Sequence, residues 1–176
     1  CEVSARLTVG WKRLTFQQAR SMALRPIVPG DHDLLREIYA DAIENLAPGL
    51  YSQEQVRAWE ALAWLPGILD PSFREGTGWI SGGDSAFAIR HPSDRLSLLY
   101  CRGRAARQGH GSTLLNRIQA DAQVDRVERL RTEASQMSRP LFERHGWRLI
   151  APETITIAGV PFERYRMEKS LRQRRS

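Results

Sequence analysis

The stretch from Leu98 to Leu115 constrains the fold more than any other part of the chain. Leu98-Leu99-Tyr100-Cys101 reads as the end of a strand. Arg102 to Gly111 reads as a Gly-containing turn, and Leu114, Leu115, Ile118 and Ala122 then recur at helical spacing to about Asp125. A strand that passes through such a turn into a helix aims several backbone N–H groups and the positive helix end at one spot, a ready anion site. Gly109 and Gly111 remove Cβ atoms that would hold a phosphate away from the backbone, and Arg102, Arg104 and Arg107 add charge. The segment is no P-loop: counted from Gly103, the second Gly position holds Gln108, and no Lys follows. It is no dinucleotide fingerprint either, because counted from Gly109 the third Gly position holds Leu114. The residues alone leave two readings open, an anion cradle and a strand–helix turn that uses Gly for steric reasons.

The rest of the chain alternates strand and helix patterns. Ala23–Val28 is predicted as a strand, Pro29-Gly30 as a turn, and Asp31 as an N-cap. Leu34, Leu35, Ile38, Tyr39, Ala42, Ile43 and Leu46 mark an amphipathic helix that Pro48-Gly49 ends. Ser52-Gln53-Glu54-Gln55 has capping-box spacing and opens a second helix reaching about Trp64. The Gly- and Ser-rich stretch 70–83 carries at most a short strand at Gly78–Ser81. Ala86–Arg90, Arg95–Cys101 and Arg129–Ala134 read as strands. Pro140–Arg144 reads as a short helix stopped by Gly146, and Thr154–Ile157 with Phe162–Lys169 as a hairpin around Ala158-Gly159. The expected class is α/β: a mixed, mostly antiparallel central sheet flanked by helices.

At 176 residues the chain is long enough for one domain. The net charge of +6 invites a nucleic-acid reading, but the excess lies at the ends. Arg6, Lys12, Arg13 and Arg20 stand near one end and Arg172, Arg174 and Arg175 near the other, while 21–163 is slightly acidic. Nucleic acid is therefore disfavoured as a partner, and no basic stretch is interleaved with aromatics. The near absence of Lys, with only Lys12 and Lys169, fits the codon bias of a GC-rich bacterium. Two cysteines make no disulfide framework, and they show no metal-site spacing with the four histidines, so no metal is expected. No apolar run spans a membrane and residues 1–20 hold no apolar h-region, which points to a cytoplasmic protein. Met22 directly precedes the first strand pattern. The expected division is a 1–21 extension, disordered or non-native, a domain over 22–171 and a basic tail over 172–176.

The wider pattern adds to this. Leu99-Tyr100-Cys101, then Arg107-Gln108-Gly109-His110-Gly111-Ser112-Thr113-Leu114-Leu115, resembles the acyl-CoA-binding core of the GNAT superfamily of N-acetyltransferases. Glu133 to Trp147, with Arg139-Pro140-Leu141-Phe142 and a closing Gly146-Trp147, resembles that family's next strand, helix and terminal Gly-aromatic pair. Tyr51 to Trp59 and Tyr165 to Lys169 are similar to its YafP-like branch. The resemblance spans about residues 22–171 and implies acetyl-CoA as cofactor, a primary amine of a small molecule or protein as acceptor, and an option of homodimerisation. It places the Leu99, Tyr100 and Cys101 backbone along the pantetheine arm and the amides of Arg107 to Thr113 on the pyrophosphate, with Ser135 on the cofactor side. The chain departs from the family pattern at Ala106, at Ser97 where Asp is common, at Ser135 where Asn is frequent, and at Phe142 where many members use Tyr as general acid. The region before Ala86 looks one short strand too short. These departures keep open an acyl-CoA-binding module without efficient catalysis.

Acetyl transfer needs a held thioester, a polarised carbonyl, a proton acceptor for the amine and a donor to the leaving thiolate. Alternation along Arg129–Ser135 puts Arg131, Glu133 and Ser135 on one face, and the resemblance implies that this is the cofactor side, so Glu133 is the candidate base, with a plain strand carboxylate as the alternative. Tyr165 is the candidate acid, with half-buried packing in a terminal strand as the alternative. The side chain of His110 reads as exposed in its loop and His145 as a helix C-terminal cation. Cys101 reads as a small buried hydrophobe and Trp59 as core.

Overall fold

The computed structural model describes residues 22–172. The expectations for 1–21 and 173–176 lie outside the described residues. Strands β1 (Leu24–Pro26), β2 (Thr77–Ser81), β3 (Ala86–Arg90) and β4 (Leu96–Cys101) form one antiparallel sheet in that order. Strands β5 (Arg129–Ala134), β6 (Arg148–Ile157) and β7 (Val160–Ser170) form a second, in the order β5-β7-β6. The helices are α1 (His32–Leu46), α2 (Gln53–Ala61), α3 (Asp70–Glu75), α4 (His110–Val124) and α5 (Arg139–Arg144). This is the expected α/β class of antiparallel strands flanked by helices. The parallel element of the mixed sheet reduces to one bridge, Arg95 with Arg131, where β4 and β5 touch.

Alternation along β3 explains how both faces are covered. Ala86 and Ala88 face the core shared with Leu114, Leu115 and Ile118 of α4, while Phe87 and Ile89 face the core shared with Leu35, Ile38 and Ile43 of α1. Small residues on one side let α4 lie close, and large ones on the other fill the space under α1. All five residues of β3 are buried, as in a strand covered on both faces. Each large side chain so buried contributes about 1.5–3 kcal/mol.

The capping box at Ser52 forms as its spacing predicts, with the Gln55 N–H donating to Ser52 Oγ at 3.1 Å and the Ser52 N–H to Gln55 Oε1 at 2.9 Å. Several expectations are corrected. Asp31 precedes α1 but its carboxylate caps none of that helix's amides; it accepts two bonds from Arg25, each 2.8 Å, and one from the Val28 N–H, which opens the 3-10 turn Pro29–Asp31. A bidentate Arg partner six residues back outcompetes the helix amides for those oxygens. Helix α2 stops at Ala61, short of Trp64, and Leu62–Ile68 is a chain of turns. Helix α3 went unread because its six residues bury only Phe73 and are too short to show a period. The sheet before Ala86 lacks nothing for its fold, since β1 and β2 complete four strands. The 158–159 turn is as expected, with both residues at positive φ.

Candidate functional site

The site follows from how β4 and β5 separate. Near Arg95 they are joined: the Arg131 N–H donates to Asp94 O at 2.9 Å, and Thr132 Oγ1 to Leu96 O at 2.8 Å. Beyond Leu96, β4 pairs with β3 alone. The cause is a bulge. Ile89 pairs with Leu98 and Arg90 with Leu96, which leaves Ser97 as the extra residue, its hydroxyl donating to Ile89 O at 3.2 Å. A bulge increases local twist and bends its strand. The strand end Leu98–Cys101 therefore diverges from β5, with backbone groups on that edge that meet no strand among the described residues.

A cavity of about 410 Å³ fills the split. On one face of the sheet it is lined by Gly111 of α4 and by Ser138, Leu141 and Phe142 at α5. On the other it is lined by Tyr39, Tyr51, Trp59 and Leu69. Leu99, Tyr100, Cys101, Glu133 and Ser135 edge the opening between them. Strand and loop alternation brings these sequence-predicted residues together.

At its α4 end lies the turn expected to cradle an anion; of that turn only Gly111 lines the cavity, and the roles of the glycines are corrected. Gly109, not Gly111, takes the left-handed conformation, at φ +96°, and Arg107 does so at +60°. Left-handed residues alternating with right-handed ones make a concave nest of N–H groups. The N–H groups from Arg107 to Ser112 donate to no acceptor among the described residues; that of Thr113 is taken by Gly109 O at 3.1 Å. Gly111 matters for space: a Cβ there would lie 2.9 Å from Leu141 Cδ2. Of the three arginines, Arg102 turns to Glu37 and Asp41 and Arg104 to Asp84, so only Arg107 has no ion-pair partner among the described residues. Gln108 bonds back to Arg104 O at 3.2 Å.

His110 is corrected outright. It is buried, 3% exposed, and its Nδ1 lies 2.7 Å from Ser81 Oγ. As first residue of α4 it turns inward, ties the helix start to β2, and leaves only its backbone to the cradle. Burial, then the nearby Arg104, lowers its pKa. His145 is also no cation: burial, Lys169 and Arg144 lower its pKa, and its Nε2 lies 3.1 Å from Ser112 Oγ. Lys169 supplies the charge at that helix end, Nζ donating to His145 O at 2.5 Å. Cys101 is half-buried and burial pushes its thiol up to about 11, which suits an inert wall rather than a nucleophile. Trp59 is buried as expected, yet one edge also lines the cavity.

Glu133 reaches the cavity, as alternation predicts. Its partner is Arg95, whose Nε donates to Oε2 at 2.9 Å, while Arg131 pairs with Asp94. Tyr165 does not line the cavity; Arg139 lies over its ring at 4.6 Å. Three other tyrosines, Tyr39, Tyr51 and Tyr100, line it, and Tyr51, not singled out from sequence as a site residue, accepts the Gln136 N–H on its phenol oxygen at 2.9 Å. Burial raises its pKa. In the sequence Tyr51 precedes a capping box and opens the segment that resembles the YafP-like branch, neither of which assigns it to the cavity. Ser135 and Ser138 close the far side through reciprocal bonds, each hydroxyl accepting the other's N–H at 3.2 and 3.0 Å. Among the described residues no group of three His, Cys, Asp or Glu is placed to hold a metal, and no helix is long and apolar enough to cross a membrane.

Residues 83–169 match the acetyltransferase (GNAT) domain family. Among curated proteins no match is found. Among solved structures, the GCN5-related N-acetyltransferase from Rhodopseudomonas palustris is similar with a TM-score of 0.80 and 25% identity, covering 85% of this chain and 96% of that one. The yncA acetyltransferase of Salmonella typhimurium, solved with its cofactor acetyl-CoA, is similar with a TM-score of 0.60 and 16% identity over 88% and 96% of the two chains. The paia N-acetyltransferase of Thermoplasma acidophilum, in complex with coenzyme A, has a TM-score of 0.58 and 16% identity over 85% and 99%.

Proposed function

We propose an activity for this chain on the premise that it carries a GNAT acetyltransferase domain: acetyl transfer from acetyl-CoA to a primary amine. The observation that carries the reading is the split between β4 and β5, with a strand edge on one side and a nest of N–H groups at its end that meet no partner among the described residues. A pantetheine arm carries amides that match a strand edge, and a pyrophosphate matches the nest. The residues fit the cofactor: Arg107 to Ser112 would hold its phosphates and Leu99 to Cys101 its arm, with Gly111, packed close against Leu141, lining the groove beside them. The similarity of Tyr51–Trp59 and Tyr165–Lys169 to the YafP-like branch supports that placement within the family.

When bound, acetyl-CoA supplies an activated acyl group. The chain supplies position, charge and proton handling. Glu133 accepts the amine proton directly or through one water, while Arg95 fixes its carboxylate at the cavity wall. The Tyr51 hydroxyl, rather than Tyr165, faces the cavity and donates a hydrogen bond to negative charge as it develops. Phe142 is buried against Trp147 at 4.9 Å between centroids and offers no proton. That observation favours a second reading, acyl-CoA binding without efficient turnover.

Thermal unfolding with ligands tests the assignment. Acetyl-CoA at about 100 times its Kd stabilises by about 2.7 kcal/mol, a rise in Tm of roughly 5–10 °C for a chain of this size. ATP and NAD are expected to shift it far less, and equal shifts with ATP remove the cofactor assignment. Thiol release in the presence of amines then separates the enzyme from the binding module.

A further inference from the structure

The half of the cavity beneath α1 and α2 lies across the split from the cofactor cradle, and its walls have a chemistry of their own. We propose that it takes a primary amine carried on a compact, uncharged apolar body, such as an arylalkylamine, rather than a polyamine, an amino sugar or a protein lysine. This rests on the acetyl-transfer reading above and adds the acceptor class to it.

Three observations carry it. The first is the wall. Tyr51, Trp59 and Phe162 interlock with ring centroids 5.2, 6.1 and 6.2 Å apart, and Leu62, Leu69 and Ile157 continue the surface. Such a wall rewards apolar area and ring edges and gives a sugar hydroxyl few partners. The second is charge balance. The charged lining residues are Arg95, Glu133, Glu163 and Arg164, two of each sign. Arg95 is paired with Glu133 at 2.9 Å and Arg164 with Glu153 at 2.5 Å. Glu163 is then the one lining carboxylate without an ion-pair partner among the described residues, which suits a single ammonium, whereas a polyamine or a lysine-rich segment needs several. The third is the mouth. Ile68 lines the cavity and is 51% exposed, beside Trp64 and Leu65 at 58% and 46%. An apolar rim held in solvent suits an apolar body that covers it on entry. The volume of about 410 Å³, shared with the acyl arm, suits a single ring or branched chain.

Calorimetric titration of the full chain, saturated with coenzyme A, tests the proposal without requiring turnover. The probes are 2-phenylethylamine, spermidine, glucosamine and Nα-acetyl-lysine amide. The expected result is that 2-phenylethylamine binds at least tenfold more tightly than each of the others. Ile68→Arg, at an exposed position where folding is not at stake, is expected to weaken 2-phenylethylamine about tenfold or more, with Ile68→Val near the parent and coenzyme A affinity unchanged in both. Spermidine, glucosamine or the lysine amide binding as tightly as 2-phenylethylamine overturns the acceptor class, as does an Ile68→Arg protein that binds it like the parent. In those cases coenzyme A still binds and the acetyl-transfer reading stands. Failure to bind coenzyme A overturns both.

Discussion

Glu133 and Tyr51 meet at the cavity from different parts of the chain, one on the first strand beyond the split and one in the turn before α2. The first was legible because a period of two places alternate side chains on one face. The second was not, because nothing in the local sequence of a turn tells which distant strand its side chain will reach. Tyr51 bonds to Gln136, 85 residues away. Glu133→Gln keeps the shape and a contact to Arg95 but removes the proton acceptor. Turnover is expected to fall about 10²–10⁴-fold with acetyl-CoA affinity nearly unchanged. A loss below about threefold would make Glu133 an ordinary ion-paired carboxylate. Tyr51→Phe, measured in the same assay, is expected to lower kcat more than it raises KM, because the lost bond is one to charge that develops during reaction.

The strand–turn–helix element carries the cofactor argument, and its glycines divide the work. Gly109 provides the left-handed bend, and Gly111 provides clearance to Leu141. Gly111→Val is therefore expected to fold, since the Leu141 Cδ atoms lie at the free end of a side chain that can turn aside. The branched side chain then stands in the groove, and acetyl-CoA affinity is expected to drop at least tenfold, read by calorimetry beside a circular-dichroism melt within a few degrees of the parent. Parent-like affinity would show that the cradle does not hold the cofactor. The same element shows where local reading fails. His110 sits in a Gly-rich turn, the usual context of an exposed residue, yet it is buried on Ser81. Its burial depends on β2 lying beside the start of α4, a neighbour 29 positions away in sequence.

At the level of the whole molecule, buried His110 and half-buried His145 give stability an expected pH dependence. Burial lowers the folded-state pKa of His110 and His145 below the ordinary value of about 6.5. Below that value the unfolded chain binds more protons than the folded one, so stability is full above about pH 6.5 and is lost as the pH falls. The Tm is expected to decline between about pH 7 and pH 5. His110→Asn, which can still bond to Ser81 and does not titrate, is expected to flatten part of that decline. A slope unchanged by the substitution would mean that His110 does not contribute to it.

Most strands, the long helix cores, the Ser52 capping box and the hairpin turn were determined by the sequence itself, because hydrophobic period and turn chemistry act over a few residues. Helix α1, strand β5 and the 158–159 turn stand where those patterns put them. The strand before the Gly pair, and Gly111 itself, line the cavity. Only the tertiary structure decided the rest. The split depends on a one-residue bulge at Ser97, which no period reveals because alternation on either side of it looks ordinary. The pairing of Arg95 with Glu133, the arrival of Tyr51, the inward turn of His110 and the aromatic wall of Tyr51, Trp59 and Phe162 all join residues far apart in sequence. Such contacts depend on how sheets twist and helices pack across them, which local spacing does not encode.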